Sequence, residues 1–101
     1  MCGIVALVGS REASPQILEG LRQLEYRGYD SAGIATVAAQ GQLTCLRAKG
    51  KQRNLTDCFE AKGAPGQCGI RHTRWATHGK PEERNAHPHR SGDDALAVVQ
   101  N

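Results

Sequence analysis

The second residue of the chain, Cys2, combines two groups that could carry out nucleophilic chemistry. A small second residue permits removal of the initiator Met1, which would leave a thiol and a free α-amine on the same carbon. Because the pKa of an α-amine, about 7.7–8.0, lies close to the thiol value of about 8.5, the amine can act as the base for its own nucleophile. Taken alone, Cys2 is more typical of a small hydrophobic residue at the start of a strand.

Further side chains with chemical potential lie in the last third of the chain. Arg74 could bind a carboxylate through its planar guanidinium or form a surface ion pair, and Trp75, the single tryptophan, could line a site or fill the core. His78, His87 and His89 could be metal ligands, but no carboxylate or cysteine completes a familiar zinc spacing. A non-catalytic module that binds a metal or a protein partner through these histidines and the loose cysteine thiols is an alternative from a different class of function.

The composition indicates one domain of ordinary globular character. The chain has 101 residues and a net charge of +3 without long runs of like charge, which disfavours nucleic-acid binding. Its apolar runs are far shorter than the roughly 20 residues of a membrane helix. Nothing near the N-terminus resembles a secretory signal, and no C-x-x-C pair occurs. We therefore expect a cytoplasmic protein in which the remaining cysteines are packed, reduced thiols: Cys45, Cys58 and Cys68.

The apolar pattern predicts a helix layer on a sheet, and thus an α/β or α+β protein. Ser14 and Pro15 are typical of an N-cap and a first helical position, and the apolar face that follows predicts a helix to about Glu25. Asn54 could cap a second helix that runs through Glu60. A hairpin is predicted around residues 40–41, and a polar loop over residues 76–91. The predicted strands are residues 3–8, 32–38, 43–48, 67–73 and 95–100.

Four segments carry a resemblance to a known family: residues 2–5 (CGIV), 25–33 (EYRGYDSAG), 72–79 (HTRWATHG) and 85–89 (NAHPH). In this order they resemble the glutaminase domain of the glutamine–fructose-6-phosphate aminotransferases, also called glucosamine-6-phosphate synthases. These are class II glutamine amidotransferases, and the resemblance spans residues 2–101. The related amidophosphoribosyltransferases are the near alternative, but their pattern has a tyrosine in place of Trp75.

The resemblance implies the N-terminal-nucleophile (Ntn) hydrolase fold, an α+β protein built as an αββα sandwich. Residues 1–101 would form only the first part of that class II glutamine amidotransferase domain, and the sugar isomerase domains would be absent. L-glutamine would be the substrate, with no metal or other cofactor and no membrane or nucleic-acid partner. In full-length relatives, expected to be homodimers, the ammonia would convert fructose 6-phosphate to glucosamine 6-phosphate through the absent isomerase region.

The resemblance also implies the catalytic roles. Cys2 would attack the carboxamide of glutamine and form a γ-glutamyl thioester with release of ammonia. Its α-amine would serve as the general base, through a water molecule. The side-chain amide of Asn101 would donate to the oxyanion, an interaction whose loss typically costs around 10²–10³ in rate.

The remaining roles implied by the resemblance concern binding and shaping of the site. Arg74 would bind the α-carboxylate of glutamine, and a loop that closes over the substrate would supply Trp75, Thr77 and His78. His87 would orient this loop. Arg27, Gly28 and Asp30 would shape the floor of the site without direct participation in catalysis.

The chain departs from the family pattern mainly at its end. The family has a glycine after Asn101 that completes the oxyanion hole, and a later aspartate that binds the α-ammonium of glutamine. Gln100 stands where the family commonly has a histidine. We expect residues 1–101 alone to expose sheet edges and an apolar sheet face, to be poorly stable and to hydrolyse little or no glutamine. A catalytically inactive regulatory fragment is a further alternative.

Overall fold

Four antiparallel strands form the sheet on which the rest of the chain is built. The structure is a computed structural model, which describes residues 2–24, 26 and 30–101. The strands are β1 (Gly3–Val8), β2 (Ser31–Val37), β3 (Leu43–Lys49) and β4 (Cys68–Arg74). Their order across the sheet is β1-β4-β2-β3, so that β4, the last in sequence, lies between the first two.

In the described part of the chain, two helices and a short ribbon accompany this sheet. Helix α1 (Ala13–Arg22) follows β1, and α2 (Gln52–Lys62) follows β3. After β4 come a single 3₁₀ turn (Glu83–Asn85) and two short strands, β5 (His89–Arg90) and β6 (Ala97–Val98), which pair only with each other. In the part of the chain that is described, no helix combines the length and apolar character needed to cross a membrane.

One face of the sheet packs against both helices and forms the core. Successive residues of a strand point to opposite faces, so Ile34 and its cross-strand neighbour Arg71 share this face. Ile34 packs with Ile17 of α1 and Leu55 of α2, and all three side chains are buried. Burial of each such side chain contributes roughly 1.5–3 kcal/mol. The buried Arg71 donates from Nη1 to the carbonyl oxygen of Leu18, 3.0 Å away.

The opposite face of the sheet is divided along the direction of the strands. His72 and Arg74 lie toward one end and are buried beneath the chain that follows β4. Toward the other end, Ala35, Val37 and Ile70 line an open apolar groove of about 250 Å³ together with the segment 95–97. The chemistry-bearing side chains are therefore concentrated at one end of this face.

Several predictions from the sequence are confirmed. The mixed α+β architecture with helices on a sheet is correct, and the first four strands lie within one residue of their predicted limits. Strands β2 and β3 form the expected hairpin, and Gly41 in its turn has φ +84°, a conformation that suits glycine. Leu55 is buried as the pattern of the second helix indicates.

The predicted helix caps are wrong. Helix α1 begins at Ala13 and ends at Arg22, and the Ser14 hydroxyl donates to the carbonyl oxygen of Ala64 in place of a cap. Glu25, the predicted end, lies outside the described residues. Helix α2 begins at Gln52, because the side chain of Asn54 donates instead to the carbonyl oxygen of Lys49, 2.8 Å away.

Two further predictions need correction. Of the strand predicted over residues 95–100, only Ala97–Val98 has a β partner, because its partner strand β5 is itself two residues long. Cys45 and Cys58 are partly buried thiols, but Cys68 is exposed and is not a packed thiol. Cys68 begins β4 beside the open groove, on the face that the helices do not cover.

Candidate active site

A cleft lies at the end of the sheet where β1 begins and β4 ends. Gly3 pairs with Thr73 there, which places the residue before β1 beside the residues that follow β4. The cleft has a volume of about 370 Å³. Its lining residues are Cys2, Arg74, Trp75, Thr77, His78, His87, Gln100 and Asn101.

Cys2 and Asn101, the residues expected to do the chemistry, are in direct contact although 99 positions separate them. The backbone nitrogen of Cys2 donates to Oδ1 of Asn101 at 3.1 Å. Because Oδ1 is the acceptor in this contact, the side-chain Nδ2 of Asn101 remains the donor that it can offer to another group. The thiol lies on the same side of the cleft, with Sγ 4.0 Å from the carbonyl oxygen of Trp75.

Arg74 holds the loop that borders the cleft. Its side chain is 8% exposed, and Nη1 donates to the carbonyl oxygen of Lys80 at 3.1 Å while Nη2 donates to that of His78. The guanidinium therefore shapes the turn through residues 75–80, while Thr77 and His78 stay exposed at the rim of the cleft. Trp75 is 45% exposed, so the alternative that it fills the core is wrong.

Asp30 joins three parts of the chain beneath this loop. Its backbone N–H donates to the carbonyl oxygen of Arg74 at 3.2 Å, and its own carbonyl oxygen accepts from the N–H of Gly50 at 2.7 Å. The carboxylate accepts from the hydroxyl of Ser31 at 3.0 Å and from the backbone N–H of Ala76. These contacts fit the predicted site-shaping role of Asp30, whereas Arg27 and Gly28 lie outside the described residues.

His87 borders the cleft and packs against a second histidine. Its ring stacks on that of His72, with 4.2 Å between the ring centroids and 23° between the planes. The approach of this segment to the sheet depends on Gly33, where a Cβ would lie 1.9 Å from the carbonyl oxygen of His87. Burial, with smaller contributions from His72, His89 and Arg74, lowers the pKa of His87 to about 4.

His72 is buried directly behind the end of the cleft. Its Nε2 is 2.7 Å from the carbonyl oxygen of Gln100. Burial is the main reason that its pKa is also lowered, and the nearby Arg74 adds to the effect. Both stacked rings therefore favour the uncharged form at neutral pH.

The structure brings together seven of the residues that the sequence singled out, and these line the cleft: Cys2, Arg74, Trp75, Thr77, His78, His87 and Asn101. The sequence reasoning did not assign a role to His72 or Gln100, although His72 begins the segment 72–79 that carries the resemblance. Within the described ranges, no three His, Cys, Asp or Glu side chains are placed to hold a metal ion.

Comparison with known proteins points to one group of enzymes. The chain is 60% identical over its full length to a glutamine–fructose-6-phosphate aminotransferase of Thermosynechococcus vestitus, and it covers 16% of that protein. It is 54% identical over its full length to the enzyme of the same name from Legionella pneumophila, of which it covers 17%. No protein-family model matches the chain.

In sequence, the chain is similar to the N-terminal region of these aminotransferases. It spans about a sixth of the length of the curated relatives that it matches. Among solved structures, it is similar to a glutamine phosphoribosylpyrophosphate amidotransferase from B. subtilis, with a TM-score of 0.74 and 27% identity. That similarity covers 93% of this chain and 20% of the other, and it shows that the chain has part of an Ntn amidotransferase fold. The lower identity disfavours the phosphoribosyl branch.

Proposed function

We propose that this chain provides the nucleophile and part of the substrate site of a glutamine amidotransferase. The observation that carries the proposal is the contact between the Cys2 nitrogen and Asn101 Oδ1, 3.1 Å apart, at the edge of a cleft whose other lining residues can bind glutamine. A nucleophile, its base and an oxyanion donor then lie within one small volume. The sequence similarity to glutamine–fructose-6-phosphate aminotransferases supports the same reaction.

The first step uses the two groups of Cys2. Once Met1 is removed, the nitrogen that contacts Asn101 is an α-amine, and it takes the thiol proton through a water molecule as Sγ attacks the carboxamide carbon of glutamine. The carbonyl π electrons move to the oxygen. Since Oδ1 of Asn101 is held by the Cys2 nitrogen, its Nδ2 can donate to this oxyanion.

The second step releases ammonia. The protonated α-amine returns its proton to the departing nitrogen, the C–N bond breaks and a γ-glutamyl thioester remains on Cys2. Water then attacks the thioester by the same route, which gives glutamate and restores the thiol. Both steps use the same base and the same oxyanion donor.

The remaining lining residues would bind the amino-acid end of glutamine. Arg74 is buried with two of its donors committed to loop carbonyl oxygens, so a substrate carboxylate would use the remaining donors of the guanidinium fork. The exposed side chains of Thr77 and His78 would add contacts from the rim, and Trp75 would cover the bound substrate. His87 would orient the loop that follows β4, and Asp30 would hold the beginning of that loop in place.

We further propose that residues 1–101 form part of a larger glutaminase domain. An apolar groove on the uncovered sheet face supports this, because large exposed apolar patches usually mark surfaces that another element covers. In the parent enzyme the ammonia would be transferred to fructose 6-phosphate to give glucosamine 6-phosphate, in a cytoplasmic homodimer. The names of the relatives support this reaction, and their greater length supports a larger domain.

A diazo-ketone analogue of glutamine tests the nucleophile. The chain lacking Met1 is incubated with the analogue, and the modified residue is located by mass spectrometry. We expect stoichiometric alkylation of Cys2, in which the diazo carbon gains a proton, dinitrogen leaves and Sγ bonds to that carbon. Labelling needs only the nucleophile, its amine and the cleft.

Cys68 supplies a matched control, since it is an exposed thiol outside the cleft. The variant Cys2→Ser should lose the label, Cys68→Ser should keep it, and excess L-glutamine should slow it more than excess L-asparagine does. Equal labelling of Cys2 and Cys68, or no protection by glutamine, would contradict the proposal.

A further inference from the structure

Two histidines contact the backbone of Gln100, one at its carbonyl oxygen and the other at its N–H. Its carbonyl oxygen is 2.7 Å from Nε2 of His72, and its N–H points to Nδ1 of His87, with 3.3 Å between the nitrogens. These two rings are the pair that stack at 4.2 Å. The side chain of Gln100 takes no part in either contact and lies exposed.

The two hydrogen bonds fix the protonation of the ring nitrogen that each of them uses. A carbonyl oxygen can only accept, so Nε2 of His72 must carry the proton. A backbone N–H can only donate, so Nδ1 of His87 must be unprotonated, and its proton lies on Nε2. The contact with Gln100 therefore requires His87 to be uncharged, and the low pKa of His87 agrees with that requirement.

The next residue is the one that contacts the nucleophile. Asn101 follows Gln100 directly, and its Oδ1 accepts from the Cys2 nitrogen at 3.1 Å. The segment before it is not held by regular structure, because β6 ends at Val98 and its partner strand has only two residues. Within the described structure, the histidine pair is the contact that anchors this end of the chain to the central strand β4.

We propose that His72 and His87 are positioning residues, a stacked pair that clamps the backbone of Gln100 and thereby places Asn101 against Cys2. The clamp acts on the backbone of residue 100 and not on its side chain. The catalytic consequence rests on the proposed function. The clamp itself does not, and the two can be tested separately.

Nuclear magnetic resonance of the ¹⁵N-labelled chain tests the clamp without any substrate. At pH 7, the imidazole nitrogen shifts should show both rings as neutral Nε2–H tautomers, and the Gln100 amide should exchange slowly with solvent. A charged ring, an Nδ1–H tautomer at His87 or an unprotected Gln100 amide in the unsubstituted chain would overturn the proposal. This arm does not depend on the folding of any variant.

Matched variants separate the hydrogen bonds from the packing of the rings. His72→Phe keeps an aromatic ring but removes the donor, whereas His72→Gln offers a donor near the position of Nε2. His87→Leu removes the acceptor, whereas His87→Asn offers one near the position of Nδ1. We expect the Phe and Leu variants to speed exchange of the Gln100 amide by about three- to tenfold, the worth of one hydrogen bond, and the Gln and Asn variants to restore most of the protection.

The rate of Cys2 labelling by the diazo-ketone links the clamp to the chemistry. It should fall about three- to tenfold in His72→Phe and His87→Leu and recover in the conservative variants. Unchanged exchange and labelling in the Phe and Leu variants would overturn the clamp. If Cys2 is unreactive in the unsubstituted chain, the proposed function fails while the exchange data still decide the clamp.

Discussion

The two faces of the central sheet differ in their side chains and in what they contact. The face toward the helices is an apolar core in which Ile34, Ile17 and Leu55 are buried against one another. The opposite face carries histidine and arginine at one end and an open apolar groove at the other. Burial of apolar area supplies most of the folding free energy, so the helix-covered face stabilises the sheet and leaves the other face available for polar contacts.

The strand β4 shows this division within one element. Arg71 and Arg74 are both buried, but Arg71 points toward α1 and donates to Leu18, whereas Arg74 points toward the cleft and donates to the loop after the strand. The same residue type therefore anchors a helix on one face and shapes a candidate substrate site on the other. The strands β1 and β2 pair with β4 on either side and hold it in the sheet.

The largest expected effect is a difference in stability between a substitution at a buried position on the helix-covered face and one at an exposed position on the opposite face. Ile34→Ala, at a fully buried position of the helix-covered face, should lower the free energy of unfolding by about 2–5 kcal/mol. Val8→Ala, at an 82% exposed position of the edge strand β1, should change it by less than about 0.5 kcal/mol. Urea unfolding followed by circular dichroism measures both. Equal effects would show that the two positions are packed alike.

A smaller effect is expected at Gly33, where strand β2 lies against the segment that contains His87. Gly33→Ala places a methyl group on the carbonyl oxygen of His87 and should cost about 1–3 kcal/mol of stability, since the segment must move away from the sheet. It should also slow the labelling of Cys2. Gly9→Ala is the control, because no atom lies within 4 Å of its added Cβ. If the Gly33→Ala protein is as stable as the unsubstituted chain and Cys2 is labelled at the normal rate, the close approach at Gly33 is not required for the fold or for the candidate site.

The smallest expected effect is a dependence of stability on pH that arises from His87, on the side of the sheet that carries the candidate site. His87 has a pKa of about 4 in the fold, against an ordinary value of 6.5, so the unfolded chain takes up a proton first as the pH falls. Stability should therefore decrease between about pH 6.5 and pH 4, with no further loss from His87 below that range. The effect should be under about 1 kcal/mol, because solvent screens this half-exposed ring.

Substitution isolates the contribution of His87 to this pH dependence. His87→Asn cannot titrate in this range and should flatten the thermal stability between pH 6.5 and pH 4. Other titratable or charged groups near the ring are His72, His89, Arg74 and, through His72, Asp30. Asp93, whose pKa is also lowered, acts only below its ordinary value of 3.8 and does not contribute in this window. An unchanged slope in His87→Asn would assign the effect to the other histidines.

Much of the fold could be predicted because the local pattern and the tertiary environment agree. The short apolar run bounded by glycine becomes β1, and the glutamine–glycine pair at residues 40–41 becomes the hairpin turn. The predictions failed where a distant group competes for a local hydrogen bond. Ser14 was expected to cap α1, but the carbonyl oxygen of Ala64, fifty positions away, accepts its hydroxyl proton.

The candidate site shows the same distinction. The residue types at positions 2, 74, 75, 77, 78, 87 and 101 were sufficient to predict which side chains line a cleft, because their segments resemble a known family. His72 was overlooked, because its sequence neighbours do not show whether a buried histidine in a strand orders part of a candidate site or only packs within the fold. Its importance depends on Gln100, which lies 28 positions away and reaches it only through the backbone.

The sequence by itself therefore predicted the first four strands, the presence of the two helices and a candidate nucleophile, all of which depend on neighbouring residues or on a recognisable segment. Only the tertiary structure decided that Cys2 meets Asn101, and that the stacked rings of His72 and His87 contact the carbonyl oxygen and the N–H of one residue, Gln100. The physical reason is that these contacts join groups far apart in the chain, and the sheet order β1-β4-β2-β3 brings them to the same edge. Their protonation then follows from which atom each ring faces.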